Sequence, residues 1–347
     1  MFSRKTVFVV GAGGSKELGL PIGDELKGKI ATKLNIGFQG GYDLSSGDVN
    51  IYHAVKRYMH GINEHDGNPY WTAGRSIAAA MPQALSIDNY LHTHYSDERI
   101  VRMGKLGIAA SILEAERKSI LFTNDHSSTK HDFKRSSDCW HNIFCKMLTE
   151  GIRRESLDRV FDNVAFITFN YDRCIEHYIS IWLQNYFRIA DTDAQRLVSS
   201  MTIIHPYGQI GQLPWQGKNM ISVPYGADPG ASPLIEIAEN IRTFTEQVED
   251  DTVPDAMKEL ITEAEQVVYL GFSFGAMNMQ LMKIDHCNRS KNAYGTSMGL
   301  SAPNLQVILR RLEEDMHTAD GYFLNKHHFE SCKSGELLAN YFRVLTD

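Results

Sequence analysis

The chain opens with a strand that breaks directly into glycine. Thr6-Val7-Phe8-Val9-Val10 is an unbroken apolar and β-branched run, and Gly11-Ala12-Gly13-Gly14-Ser15 follows at once. A run of this length bounded by small residues reads as a buried strand followed by a sharp turn. Gly11 and Gly13 lack a Cβ, so the main chain there can approach a neighbour closely and take positive φ. Peptide N–H groups in such a turn, at the start of a helix, suit a phosphate or pyrophosphate. By itself the turn also fits a tight connection with no ligand, and the rest of the chain has to decide between the two.

Three later segments repeat the pattern. Val164-Ala165-Phe166-Ile167-Thr168-Phe169 runs into Asn170-Tyr171-Asp172, a strand over 201–204 ends at His205, and Gln266-Val267-Val268-Tyr269-Leu270 ends in Gly271-Phe272-Ser273. Between them lie stretches with helical spacing, at 99–120, 139–149, 174–186, 233–247 and 254–264. Ser301 is placed to cap a helix over 302–314, and Ser334 another near the C-terminus. Strands alternating with helices predict an α/β fold, Rossmann-like, with a mostly parallel sheet. The stretch 35–160 separates the first two strands and reads as a large helical insertion within a single domain, 1–347. Inside it, 35–71 is rich in Gly, Asn, His and Asp without sustained periodicity and predicts loops and short elements. The segment 125–138 is polar and expected to be exposed, and 206–230 is loop-like.

Composition narrows the function classes. A net charge of -7 gives no basic footprint, which disfavours direct nucleic-acid binding. Five cysteines without a CxxC pair point to reduced thiols in a cytosolic setting. Cys139, His141 and Cys145 match no common zinc spacing, and His92 with His94 read as exposed helix histidines. Arg4 and Lys5 precede an apolar stretch that glycine ends too early for a signal peptide. No run approaches the ~20 apolar residues that a membrane span needs. A cytoplasmic protein with no membrane partner is the expectation.

In open parallel sheets, ligands sit beyond the carboxyl ends of the strands, near the point where strand order reverses. Gly11 to Ser15, Asn170 to Asp172, His205 and Gly271 to Ser273 would then share one crevice. Each has a bland account: Asn170 as a helix cap, Asp172 as a complement to a helix dipole, His205 as a loop residue, Gly271 as a turn. Four such coincidences at four strand ends favour a common site.

The same pieces resemble the sirtuin-like NAD-consuming domains, especially the bacterial antiphage-defence branch. The matching segments are Gly11-Ala12-Gly13-Gly14-Ser15 with Gly19-Leu20-Pro21, Ser86-Ile87-Asp88-Asn89, Thr168-Phe169-Asn170-Tyr171-Asp172, His205-Pro206-Tyr207-Gly208 and Gly271-Phe272-Ser273. The resemblance implies that Gly11, Ala12, Gly13 and Ser15 hold the pyrophosphate of NAD, with Pro21, Asp88 and Gly208 among the binding residues. It places Asn170 and Asp172 by the nicotinamide and its ribose, His205 as general base, and Gly271, Phe272 and Ser273 along the adenosine side. NAD is then a substrate, cleaved to nicotinamide and ADP-ribose, and no metal is implied. The chain departs from the deacylating sirtuins in lacking two CxxC pairs, and Ile22-Gly23-Asp24 follows Pro21 where those enzymes carry Asp-Phe-Arg. Both departures favour NAD hydrolysis over deacylation. The branch also implies NAD depletion in defence, a homo-oligomer, and a separately encoded activator or sensor such as an ATPase. A dehydrogenase would need a third glycine where Lys16 stands. A non-catalytic module binding NAD or ADP-ribose, and a protein deacylase, are the alternatives left open.

Overall fold

β1 (Thr6–Val10) is fully buried, and the whole architecture is built outward from it. In a computed structural model of the chain, residues 1–41, 43–123, 131–217, 220–230, 233–249, 252–284, 290–316 and 326–347 are described. A small antiparallel ribbon of β2 (Gly37–Gln39) and β3 (Asp43–Ser46) follows. The remaining strands are β4 (Val164–Thr168), β5 (Thr202–Ile204), β6 (Gln266–Leu270), β7 (Asn292–Thr296) and β8 (Lys326–Glu330). Six of them form one sheet in the order β5-β4-β1-β6-β7-β8, with every neighbouring pair parallel. Counting only these strands along the chain, the order is that of a doubly wound dinucleotide-binding sheet, which reverses between β1 and β6.

The two faces of the sheet follow the period of two that a strand imposes. Val7, Val9, Ala165, Ile167, Val267, Tyr269 and Ala293 enter one core, and Phe8, Val10, Phe166, Val268, Leu270 and Tyr294 enter the other. The first core is covered by the helices Gly23–Leu34, Val49–Gly61, Asn68–Ala80 and Glu98–Lys118, and the second by Trp140–Thr149 and Cys174–Phe187. The fold is therefore α/β and Rossmann-like, as the alternation predicts. Among the described residues no helix is long and apolar enough to cross a membrane.

The structure departs from the sequence reading in several places. β7 and β8 were not expected. β7 carries Asn292 and Gly295, the latter lying under the Phe329 ring, and β8 is a polar edge strand bearing Lys326, His327 and His328. Within 35–71 the β2–β3 ribbon fits the expected loops and short elements, but the 13-residue helix Val49–Gly61 and the start of another, Asn68–Ala80, do not. One of them, Val49–Gly61, is capped by the Asp48 carboxylate and buries Ile51, Ala54, Val55 and Met59, a three-and-four spacing hidden among polar residues. The helix expected over 233–247 is split into Leu234–Glu239 and Phe244–Glu249, because Ile241 pairs with Gly208. Ser301 caps the helix Ala302–Asp315 as its position predicts. Ser334 instead lies inside its helix, and the cap comes from Glu17, which accepts from both Gly335 N–H and Trp140 N–H. Of the segment 125–138, 131–138 is described: Asp132, Lys134, Arg135, Ser137 and Asp138 are exposed, whereas His131 and Phe133 are half-buried and Ser136 is buried, all three against Tyr178; the rest lies outside the described residues.

The turns after β1 and β6 touch backbone to backbone. Gly11 N–H donates to Leu270 O and Gly13 N–H to Gly271 O, each at 3.0 Å. Gly271 has φ +56, and a Cβ there would lie 2.1 Å from Gly14 N. A Gly271→Ala variant should therefore lose about 2–4 kcal/mol, from left-handed strain and overpacking together. Gly28→Ala, where a Cβ meets nothing within 4 Å on an exposed helical position, should instead gain about 0.5–1 kcal/mol. Urea unfolding midpoints of the two variants check both signs.

Candidate functional site

Three peptide groups of the first turn are occupied within the protein: besides Gly11 and Gly13, Gly14 N–H donates to Gly11 O at 2.9 Å. A Cβ on Gly13 would lie 2.7 Å from Gly271 Cα. The glycines are thus demanded by the contact between the two turns, whether or not a phosphate rests on them. Ala12 is half-buried in the turn, and Pro21 is buried just beyond Leu20, whose N–H returns to Ser15 O at 3.3 Å.

Asn170 joins this turn to the end of β4. Its Nδ2 donates to Gly11 O at 3.0 Å and to Ser15 Oγ at 2.8 Å, an orientation dictated by the carbonyl, which only accepts. Ser15 bonds in turn to Asp172, whose carboxylate also accepts from Cys174 N–H at 3.1 Å. Burial pushes the Asp172 pKa up against these bonds. Asn170 is itself buried, so the side chain serves as a tie between two strand ends.

His205, immediately after β5, completes the network. Its Nδ1 donates to Asn170 O and its Nε2 to a Glu176 carboxylate oxygen, each at 3.1 Å. Both partners are acceptors, so the imidazole donates from both nitrogens and carries a positive charge. Burial alone would lower its pKa, but Glu176, helped by the Asn170 carbonyl, holds it above the ordinary imidazole value. Burial would likewise raise Glu176, and the contact with His205 brings it below the usual carboxylate value. The other Glu176 oxygen is buried with no protein hydrogen-bond partner.

A buried aromatic cluster packs beside this network. Tyr171 and Tyr207 stack at 6.5 Å, Phe169 lies 5.7 Å from Tyr207 and 5.3 Å from Phe272. The Tyr171 hydroxyl donates to Asp88 and that of Tyr207 to Asn278. Burial raises the Asp88 pKa in spite of the tyrosine contact. Gly208 holds the loop after His205: at φ +69 its missing Cβ would lie 1.9 Å from Asn240 O. Phe272 is buried among Phe169, Tyr269 and Phe274, while Ser273 is exposed beside Phe274, which takes a left-handed φ of 55.

The structure thus joins Gly11, Gly13, Ser15, Asn170, Asp172, His205 and Gly271 through direct contacts, and links Asp88 through Tyr171. Sequence reasoning missed Glu176, which sits in the first turn of its helix, where an acid ordinarily serves the dipole. It also missed a buried pair behind the site. Arg173 donates to both Glu116 oxygens and to the carbonyls of Val223 and Pro224, and both charged side chains are 0% exposed. Cys139, His141 and Cys145 are packed in the core, with the His141 ring 3.9 Å from that of Trp140. His92 and His94 are half-buried, bonded to Thr245 and to Tyr90 O.

No family model and no curated protein matches this chain. The buried pair makes its own prediction. Arg173→Met leaves Glu116 charged and unpaired, and should cost about 3–5 kcal/mol in urea unfolding. Replacing both residues by apolar ones of similar volume should cost much less.

Proposed function

We propose that the chain is an NAD hydrolase that cleaves the nicotinamide–ribose bond to give nicotinamide and ADP-ribose. The observation that carries this reading is the direct coupling of Asn170 to His205 at the carboxyl ends of β4 and β5, beside the switch point between β1 and β6. That position is where a doubly wound sheet takes a dinucleotide. Water bonds to the ribose C1′ as the C1′–N bond breaks. The bond electrons leave with nicotinamide, which departs neutral, and the proton of water passes to a base. His205 is that base in this reading, and Asn170 holds its ring through the backbone carbonyl.

His205 cannot accept a proton while both nitrogens donate. Nε2 has first to give up its proton, to Glu176 or to water, and its contact with Glu176 has to open; that step is the natural point for control by assembly or by a separate activator. In the resemblance drawn above, the biological role is NAD depletion in antiphage defence, acting in the cytoplasm as a homo-oligomer with such a partner. The doubly donating His205 also favours a second reading, a module that binds NAD or ADP-ribose without cleaving it.

Incubating the purified chain with NAD, across protein concentrations and with candidate activators, separates the two. Release of nicotinamide with no acyl-lysine peptide present supports hydrolysis. Binding without release under every condition supports the sensor module, and release only with an acylated peptide means deacylation. His205→Ala should lower turnover by about two orders of magnitude or more, and because it strands the buried Glu176 carboxylate it should lower the melting temperature as well. Asn170→Ala should lower turnover and stability together, because its amide ties two strand ends.

The pH dependence has a defined sign. A base whose pKa is raised works only above that pKa, so the acidic limb of kcat/KM should fall above the ordinary imidazole value of about 6.5. Glu176→Gln removes the charge that holds the proton and should move the limb to lower pH. A limb that stays in place would assign it to another group.

A further inference from the structure

Between the helix Val49–Gly61 and the segment at Pro229 and Gly230 lies a groove of about 510 Å³, lined by Asn50, His53, Lys56, Arg57, His60, Pro229 and Gly230, none of them among the strand-end residues described above. His53, Lys56, Arg57 and His60 stand at i, i+3, i+4 and i+7 on the helix Val49–Gly61, so they share one face and span ~10 Å. All four are exposed. The opposite face of the helix is anchored by Ile51, Ala54, Val55 and Met59, which makes the platform rigid.

The charges of this face are unbalanced. Each of the four faces a like-natured neighbour three or four residues away, an arrangement unfavourable on a helix whenever both are charged. Among the described residues none of them forms an ion pair, whereas Lys33 is held by Asp48 and Glu114, and Lys105 by Glu246. Asp228, beside the lining residue Gly230, accepts from Gly230 N–H and lies 3.9 Å from Arg117. Of the 42 acidic residues in the chain, none of those described forms an ion pair with this stripe.

We propose that the groove binds a small oligophosphate, either a nucleoside polyphosphate or an inorganic one. A concave space of this size suits a small molecule. Lys56 and Arg57 supply permanent charge side by side, and the planar guanidinium matches phosphate oxygens in a bidentate fork. The net charge of -7 opposes a long nucleic-acid backbone running beyond the groove, which favours the compact ligand. The site is separate from the NAD crevice and does not depend on the chain being a hydrolase.

Calorimetric titration of the full chain with sodium tripolyphosphate, ATP, sulfate and a single-stranded oligonucleotide tests it. Tripolyphosphate should bind more tightly than sulfate and weaken with added salt. Lys56→Glu with Arg57→Glu should weaken that binding roughly tenfold or more with an unchanged circular dichroism spectrum. The same charge change made elsewhere, at Lys29→Glu with Lys146→Glu, should leave it in place. If the double reversal does not fold, Lys56→Gln with Arg57→Gln reads the same loss. ATP binding more tightly than tripolyphosphate, and sharing its loss in the variant, marks a nucleotide; equal affinities mark the inorganic chain. No tripolyphosphate binding, unchanged binding in the variants, or binding of the oligonucleotide alone would overturn the proposal.

Discussion

Everything at the strand ends depends on two turns that meet without side chains between them. The β1 turn hands Gly13 N–H to Gly271 O, and no Cβ fits on either side of that contact. The contact closes the sheet at its switch point and fixes where Gly11 O and Ser15 Oγ lie. Those two atoms orient the Asn170 amide, and the Asn170 carbonyl orients His205. A substitution such as Gly13→Val thus acts first on the fold, and any effect on a ligand has to be measured against stability. The glycine-rich turn is a structural necessity before it is a binding element.

The insertion between β1 and β4 is tied into this centre by charge. Glu116, on the helix Glu98–Lys118, receives Arg173 and the N–H of Gly226, while Asp88 receives the Tyr171 hydroxyl. Buried ion pairs add little net stability over apolar packing, because desolvation offsets most of the attraction. What the Arg173–Glu116 pair does provide is direction: a guanidinium with its donors filled by one carboxylate and two carbonyls tolerates few other arrangements. The loop over Val223 and Pro224, the insertion helix and the end of β4 are held in one geometry as a result. Glu17 works similarly on the far side, accepting from the first turns of two helices at once.

How much of this was legible in the residues divides along physical lines. β1, β4 and β6 are apolar on both faces and bounded by small or polar residues, so their strand character shows in the local pattern. β8 has no such pattern, because an edge strand half open to solvent carries Lys326, His327 and Glu330. The helix Val49–Gly61 was obscured because its apolar positions alternate with the cations of the groove face. At the site, the residues that follow strands directly, Asn170, His205 and Gly271, are readable from position alone. Glu176 and Glu116 are not. Each is an acid on a helix with an ordinary local explanation, and only packing between distant elements turns it inward.

That inward Glu176 sets the energetics of the proposed chemistry. One of its oxygens is bonded to His205, and the other is buried without a protein partner. If the His205 contact simply opened, the carboxylate would be left uncompensated in a low-dielectric site, at a cost of several kcal/mol. Opening becomes accessible when a donor takes the place of the imidazole. A ribose hydroxyl or a water entering with the substrate is such a donor; the Nε2 proton has to leave in the same exchange, to Glu176 or to water, before the imidazole can accept another. On the proposed reading, the ion pair that keeps the histidine protonated is thus the same contact that substrate hydroxyls exchange with, and control by assembly or by an activator acts on that exchange.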